Sequence, residues 1–171
     1  RERIMSTPSI IAEEFLRELE SEAAATRKCL EQVPMDKPGY KPHEKSMELG
    51  YLAQLVADIP NWIHVIIDEG EIDFATYGQS KVQTAEDLVA HFEDVMGKAR
   101  ASLKKFSEEM HGQPFDLKNN GQLLYSTTKR ESVSQSINHM VHHRGQLTVY
   151  LRLNDRPVPS VYGPSADDRG F

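Results

Sequence analysis

Seven histidines occur in the chain, and three of them crowd into one short stretch, Asn138-His139-Met140-Val141-His142-His143-Arg144-Gly145-Gln146-Leu147. Imidazole changes charge near neutral pH and is the commonest protein ligand for metal cations, so spacing decides what these residues can do. On a helix, residues four apart sit one above the other about 6 Å apart, and His139 and His143 can present two ring nitrogens to one divalent cation. His142 is rotated roughly 100° from His143 and does not join them easily. Two imidazoles do not make a centre. Catalytic zinc usually has three protein ligands and an open water position, so a third donor must come from another helix, and spacing alone does not identify it. Without that donor, the pair would do no more than hydrogen-bond to its neighbours.

The elements that must position the pair are read from hydrophobic periodicity. Ile11, Phe15, Leu19, Ala23, Thr26 and Leu30 recur at steps of three and four and predict a helix from about Ser9 to Val33. Pro34, Pro38-Gly39 and Pro42 interrupt it with a loop. Ser46 is a candidate cap for a second helix with Leu49, Leu52, Val56, Ile59, Ile63 and Ile66 on its apolar face, ending near Glu69-Gly70 and kinked at Pro60. Residues 70–82 are polar and aperiodic. Thr84 caps a third helix whose apolar positions, Leu88 through Phe106 and Met110, carry it to about His111-Gly112. Residues 113–126 read as a long connection or a short hairpin. Thr127 or Thr128 opens a last helix through Leu153, stopped by Asn154-Asp155-Arg156-Pro157, and the proline-rich tail is extended along the body or partly disordered. On that last helix Val133, Ile137, Met140, Leu147 and Leu151 form the core stripe, with His139 and His143 on its flank. The implied fold is all-α, a four-helix bundle, in which sites are built from side chains on facing helices.

Composition narrows the function classes. A chain of 171 residues is one domain's worth and can bury a core without disulfides or a structural metal. A net charge of −6 disfavours general nucleic-acid binding. The single cysteine, Cys29, forms no internal disulfide, and with no signal-peptide pattern and no membrane-length apolar run the expected compartment is the cytoplasm, with no membrane partner. Met5 is a candidate native start. No phosphate loop, dinucleotide fingerprint or nucleophile elbow is present.

The string Asn138-His139-x-x-His142-His143-Arg144-Gly145-Gln146-Leu147, followed by Tyr150-Leu151-Arg152 and Pro157-Val158-Pro159, resembles the final helix of the DinB/YfiT-like metal-binding four-helix bundles. Lys45-Ser46-Met47-Glu48-Leu49-Gly50-x-Leu52-Ala53 is similar to the family's second-helix entrance. The likeness spans residues 8–160, taken as the domain between a flexible N-terminus at 1–7 and a tail at 161–171. It implies an up-down-down-up bundle with long connections that commonly dimerises, and a three-histidine site for zinc or nickel. Some relatives are thiol S-transferases using a low-molecular-weight thiol such as bacillithiol or mycothiol. His139 and His143 match the two last-helix ligands. The position of the remaining ligand is Leu55, which cannot coordinate.

That departure leaves two readings. In one, a divalent metal held by His139, His143 and a rescuing donor activates a thiol, Asp58 being the candidate because Tyr51, Leu55, Asp58 and Trp62 follow one stripe of the second helix. In the other, the bundle is metal-free and non-catalytic, a small-molecule binder or dimeric interaction module. In either, Tyr51, Leu55 and Trp62 are expected beside a substrate pocket, and a homodimer is expected. Arg144 falls on the apolar stripe and therefore needs a buried acidic partner, a snorkelling route past the helix end, or an anionic ligand. His64, His91 and His111 are isolated, and His43 lies in the proline-rich loop. Cys29 reads as a small buried hydrophobe.

Overall fold

The computed structural model describes residues 7–78 and 81–170. Its elements run α1 (Ile10–Glu31), α2 (Leu49–Asp68), β1 (Glu71–Asp73), α3 (Ala85–Leu103), α4 (Glu108–His111), β2 (Pro114–Asn119), β3 (Gln122–Thr128) and α5 (Lys129–Leu153). The flexible segment expected at 1–7 lies almost wholly outside the described residues. Among those residues no helix is long and apolar enough to cross a membrane.

The four long helices form the bundle. α2 packs against α3 and α5, and α1 against the same two, so the consecutive helices α1 and α2 lie on a diagonal. A tight hairpin cannot make that connection, and the chain uses the proline-containing segment 32–48 instead. Tyr150 Oη donates to the Met47 carbonyl near the start of α2, and Lys129 Nζ donates 2.8 Å to the Ile67 carbonyl at its end. α2 and α5 are therefore antiparallel neighbours. Leu52, Val56, Ile59, Ile63, Phe92, Met96, Met140 and Leu147 meet in the core.

Three helix starts are set by side-chain caps. Ser9 Oγ accepts from Ala12 N, and Thr84 with Asp87 and Thr128 with Glu131 form reciprocal capping boxes. The second start differs from the expectation. Ser46 does not cap α2; Glu48 occupies the cap position and makes no side-chain cap bond. The proline-rich loop does the work: Leu49 N donates to Tyr40 O at 2.9 Å and Gly50 N to Pro38 O at 2.8 Å. A Cβ at Gly50 would stand 2.9 Å from Pro38 Cβ, so this close approach requires glycine. α2 then runs uninterrupted through Pro60 to Asp68, and Gly70 just beyond it, at a φ of 82°, donates its N–H to the Val65 carbonyl.

The third helix stops earlier than its periodicity implied. α3 ends at Leu103; the chain turns, buries Phe106, and makes the short α4. The Phe106 carbonyl accepts from Ser9 N at 3.1 Å, tying this turn to the start of α1. Phe106 and Met110 continued the apolar spacing, but tertiary contacts set the boundary. The fold also carries a three-stranded sheet that an all-α reading omits. β1 pairs parallel to β2, and β2 antiparallel to β3 through an Asn120-Gly121 turn with both φ values positive. The Asp73 carboxylate accepts from the backbone N–H groups of Ala75, Asn120 and Gly121, which hold its pKa below the usual carboxylate range.

The tail returns along α1 and α5. Asp167 pairs with Arg152 and accepts from Val158 N, and Tyr162 donates to Glu22. Residues 161–170 thus carry contacts to the bundle.

Candidate functional site

The sequence that makes α5 a two-sided helix builds the site. His139 and His143 stand one turn apart, their Nε2 atoms 2.8 Å from each other. The opposite nitrogen of His143, Nδ1, is 2.7 Å from Gln146 Oε1, which accepts its hydrogen bond and fixes the ring. His143 is therefore an Nδ1–H tautomer in its neutral form, its Nε2 facing His139. Trp62, on the antiparallel neighbour α2, lays its ring 5.3 Å from that of His139. His142 is exposed, though its ring lies 4.9 Å from His143. Burial, followed by the neighbouring charges of His143 and His142, pushes the His139 pKa down to about 4. His139 is neutral at pH 7.

A cavity of about 230 Å³ opens from His139 toward the sheet. Trp62 and Ile66 of α2, Phe115 and Leu117 of β2, and Tyr125 of β3 form one wall; Ser132, Gln135, Ser136 and His139 of α5 form the other. Of the three side chains expected around a pocket, Trp62 lines this one. Tyr51 is largely exposed at the start of α2, and Leu55 packs half-buried against the core; neither lines the cavity. The sequence held a signal for the α5 wall, since Ser132, Ser136, His139 and His143 repeat at steps of four, three and four beside the apolar stripe. It held none for Phe115, Leu117 and Tyr125, because only the sheet brings them to the helices.

The residues do not fit a three-ligand metal centre. Leu55 offers no donor atom, and the Asp58 carboxylate is engaged elsewhere: Oδ1 lies 2.8 Å from His91 Nε2 and Oδ2 accepts from Tyr77 Oη at 2.6 Å. Asn61 completes that network by donating to Tyr77 Oη, while burial and the Asp58 carboxylate raise the tyrosine pKa. Asp58 thus faces α3 and the 74–78 turn. Among the described residues no three His, Cys, Asp or Glu side chains are grouped to hold one ion.

The remaining sequence candidates find structural partners. Arg144, 1% exposed, pairs with Glu22 at 2.6 Å, donates to Thr26 Oγ1, the Glu22 carbonyl and Tyr162 Oη, and stands over the Tyr162 ring. It is the buried acidic partner, not an anionic ligand, that answers the charge. His64 bonds Ser102 and Asp68, His111 bonds Ser9, and His43 accepts from Lys45 N. Cys29 is fully buried, and desolvation pushes its thiol up to about 11.

Comparison with known proteins agrees with this architecture. The chain is 26% identical over 127 residues to the uncharacterized protein YjoA of Bacillus subtilis, covering 74% of this chain and 80% of that protein. The crystal structure of that DinB-like protein superimposes with a TM-score of 0.67 at 24% identity, covering 91% of this chain and 99% of that one. A DinB-like protein from Bacillus cereus gives 0.68 at 22% identity, covering 88% and 97%. A member of the same family from Exiguobacterium sibiricum gives 0.62 at 15%, covering 94% and 98%. The sequence pattern that defines the DinB family matches residues 5–169, so the chain belongs to the DinB family.

Proposed function

We propose that this chain is a metal-independent, small-molecule-binding member of the DinB family, with the His139–His143 pair acting as uncharged hydrogen-bonding groups at one end of the α2–α5 cavity. The observation that carries the reading is the donor set. Two imidazoles hydrogen-bonded to each other remain where the family has three ligands, and the substituted position, Leu55, is aliphatic. Two nitrogens hold a divalent cation far more weakly than three in a preorganised site.

One observation favours the alternative, a divalent-metal-dependent thiol transferase. The Gln146 contact to His143 Nδ1 is the kind of second bond that orients a ligating imidazole and fixes its tautomer. Elemental analysis of purified, untagged protein, with a zinc and nickel titration on the same sample, separates the two. The metal-independent reading expects much less than one equivalent of metal and weak titration, and it expects Leu55→His to raise zinc or nickel affinity by orders of magnitude. One equivalent of metal in the wild type, lost in His139→Ala, would overturn it and make thiol-transfer assays the next step.

A further inference from the structure

The cavity beside the histidine pair carries its own selectivity. Trp62, Phe115 and Tyr125 give it three aromatic side chains beside Ile66 and Leu117, and among the described residues no carboxylate, ammonium or guanidinium group lines it. A charged ligand would lose its hydration there without gaining a counter-charge. The α5 wall supplies hydroxyl, amide and imidazole groups instead. One of them stands out: Ser132 is 4% exposed, and its Oγ has no hydrogen-bond partner. Its helical neighbour is satisfied, since the Ser136 hydroxyl donates 2.9 Å to the Ser132 carbonyl. Buried hydroxyls are nearly always paired, and this one, closed to solvent beside the cavity together with the equally unpartnered Trp62 Nε1 on the α2 side, is a group whose bond a molecule seated between α2 and α5 would complete. The volume, about 230 Å³, is below the roughly 300–1,000 Å³ of pockets for drug-sized ligands and suits a single-ring molecule.

We infer that this cavity binds a small, uncharged, single-ring aromatic ligand whose hydroxyl or carbonyl oxygen bonds Ser132, an inference that rests on the small-molecule-binding reading above. The test uses p-cresol as probe and benzoate and benzylamine as its charged counterparts, titrated into the full chain in buffer with EDTA. Saturation-transfer NMR reports on the ligand, and fluorescence of Trp62, the chain's single tryptophan, reports on the cavity. The expected result is saturable p-cresol binding at least tenfold tighter than either ion, weakened about tenfold by Ser132→Ala. Filling the cavity should abolish binding, with Ser132→Leu from the helix side or Leu117→Trp from the sheet side, whichever variant retains the wild-type circular dichroism spectrum. Equal binding of the three probes, indifference to Ser132→Ala, or no saturable binding with or without zinc would overturn the inference. Binding of p-cresol that appears only when zinc replaces EDTA would overturn metal independence while supporting the ligand class.

Discussion

Replacing Glu22 tests the most deeply buried charge in the fold. The Arg144 side chain is 2% exposed, and the Glu22 side chain opposite it 12%. Glu22→Ala leaves the guanidinium with Thr26 Oγ1, the residue 22 carbonyl and Tyr162 Oη, three neutral acceptors and no counter-charge. Removing one partner of a buried pair costs about 3–5 kcal/mol, most of it the penalty of the stranded charge. For a domain of this size each kcal/mol moves Tm by about 2–4 °C, so a fall on the order of 10 °C is expected. Removing both charges should recover most of the loss: Glu22→Ala with Arg144→Met exchanges an ion pair for apolar contact, a change that is often neutral. Tyr162→Phe deletes a hydroxyl 3.0 Å from both partners and should cost about 1–2 kcal/mol. Urea and thermal unfolding at pH 7, run as a double-mutant cycle, measure all of these. A Glu22→Ala midpoint within 2 °C of wild type, or a double variant as unstable as the sum of the singles, would refute the assignment of a stranded charge, with about 2 °C being the smallest shift of interest.

Three further outcomes follow from particular side chains. His139 has its pKa held at about 4 in the folded chain against about 6.5 when unfolded, so the unfolded state takes up the proton first. Its contribution is complete above pH 6.5 and declines as pH falls toward 4, by about 2 kcal/mol after partial solvent screening; urea midpoints at pH 7 and pH 4.5 should separate accordingly, and His139→Asn should reduce the separation. Lys129 Nζ caps the Ile67 carbonyl from a buried position, and burial lowers its pKa, so Lys129→Met should cost about 1–2 kcal/mol and speed amide exchange at the end of α2. Cys29, fully buried with its thiol raised to about 11, should resist a maleimide or disulfide reagent at pH 8 until the chain is unfolded by denaturant.

What was legible in the sequence follows the range over which each signal acts. Helix positions, the Thr84 and Thr128 caps and the meeting of His139 with His143 depend on residues three or four apart, and periodicity captures them. That the Arg144 charge must be answered was also legible, because a guanidinium on an apolar stripe is costly alone, and a buried acidic partner was one of the readings it left open. Its identity was not: Glu22 lies 122 positions away, and nothing local marks it. The same limit hid β1, three residues long, whose pairing to β2 spans the whole of α3. It also hid the sheet wall of the cavity and the coupling of Asp58 to His91. Asp58 shares a helical stripe with Trp62 in sequence, yet the chain orients its carboxylate to α3 and Tyr77.

On the metal-independent reading, the DinB scaffold and the metal chemistry expected of it separate at Leu55. Everything that holds the bundle together here is independent of a metal: the loop bonds that start α2, the capping boxes, the Arg144–Glu22 cluster and the continuous apolar core. Folding therefore does not call on a third ligand at position 55, where the chain carries leucine. On the metal-independent reading, the two histidines take a defined protonation pattern. The Nε2 atoms of His139 and His143 face each other at 2.8 Å and share one hydrogen between them, while Gln146 Oε1 accepts a hydrogen bond from Nδ1 on the far side of His143. With Gln146 accepting from Nδ1, the neutral His143 has only a lone pair on Nε2, so His139 must supply the proton between them from its own Nε2. That leaves His139 Nδ1 as an acceptor beside Trp62 and the cavity. The tautomers are testable by nitrogen-15 NMR of the histidine rings at neutral pH. Nδ1–H on His143 with Nε2–H on His139 is the expected pattern, and the reverse pair would break the link between Gln146 and the cavity-facing acceptor.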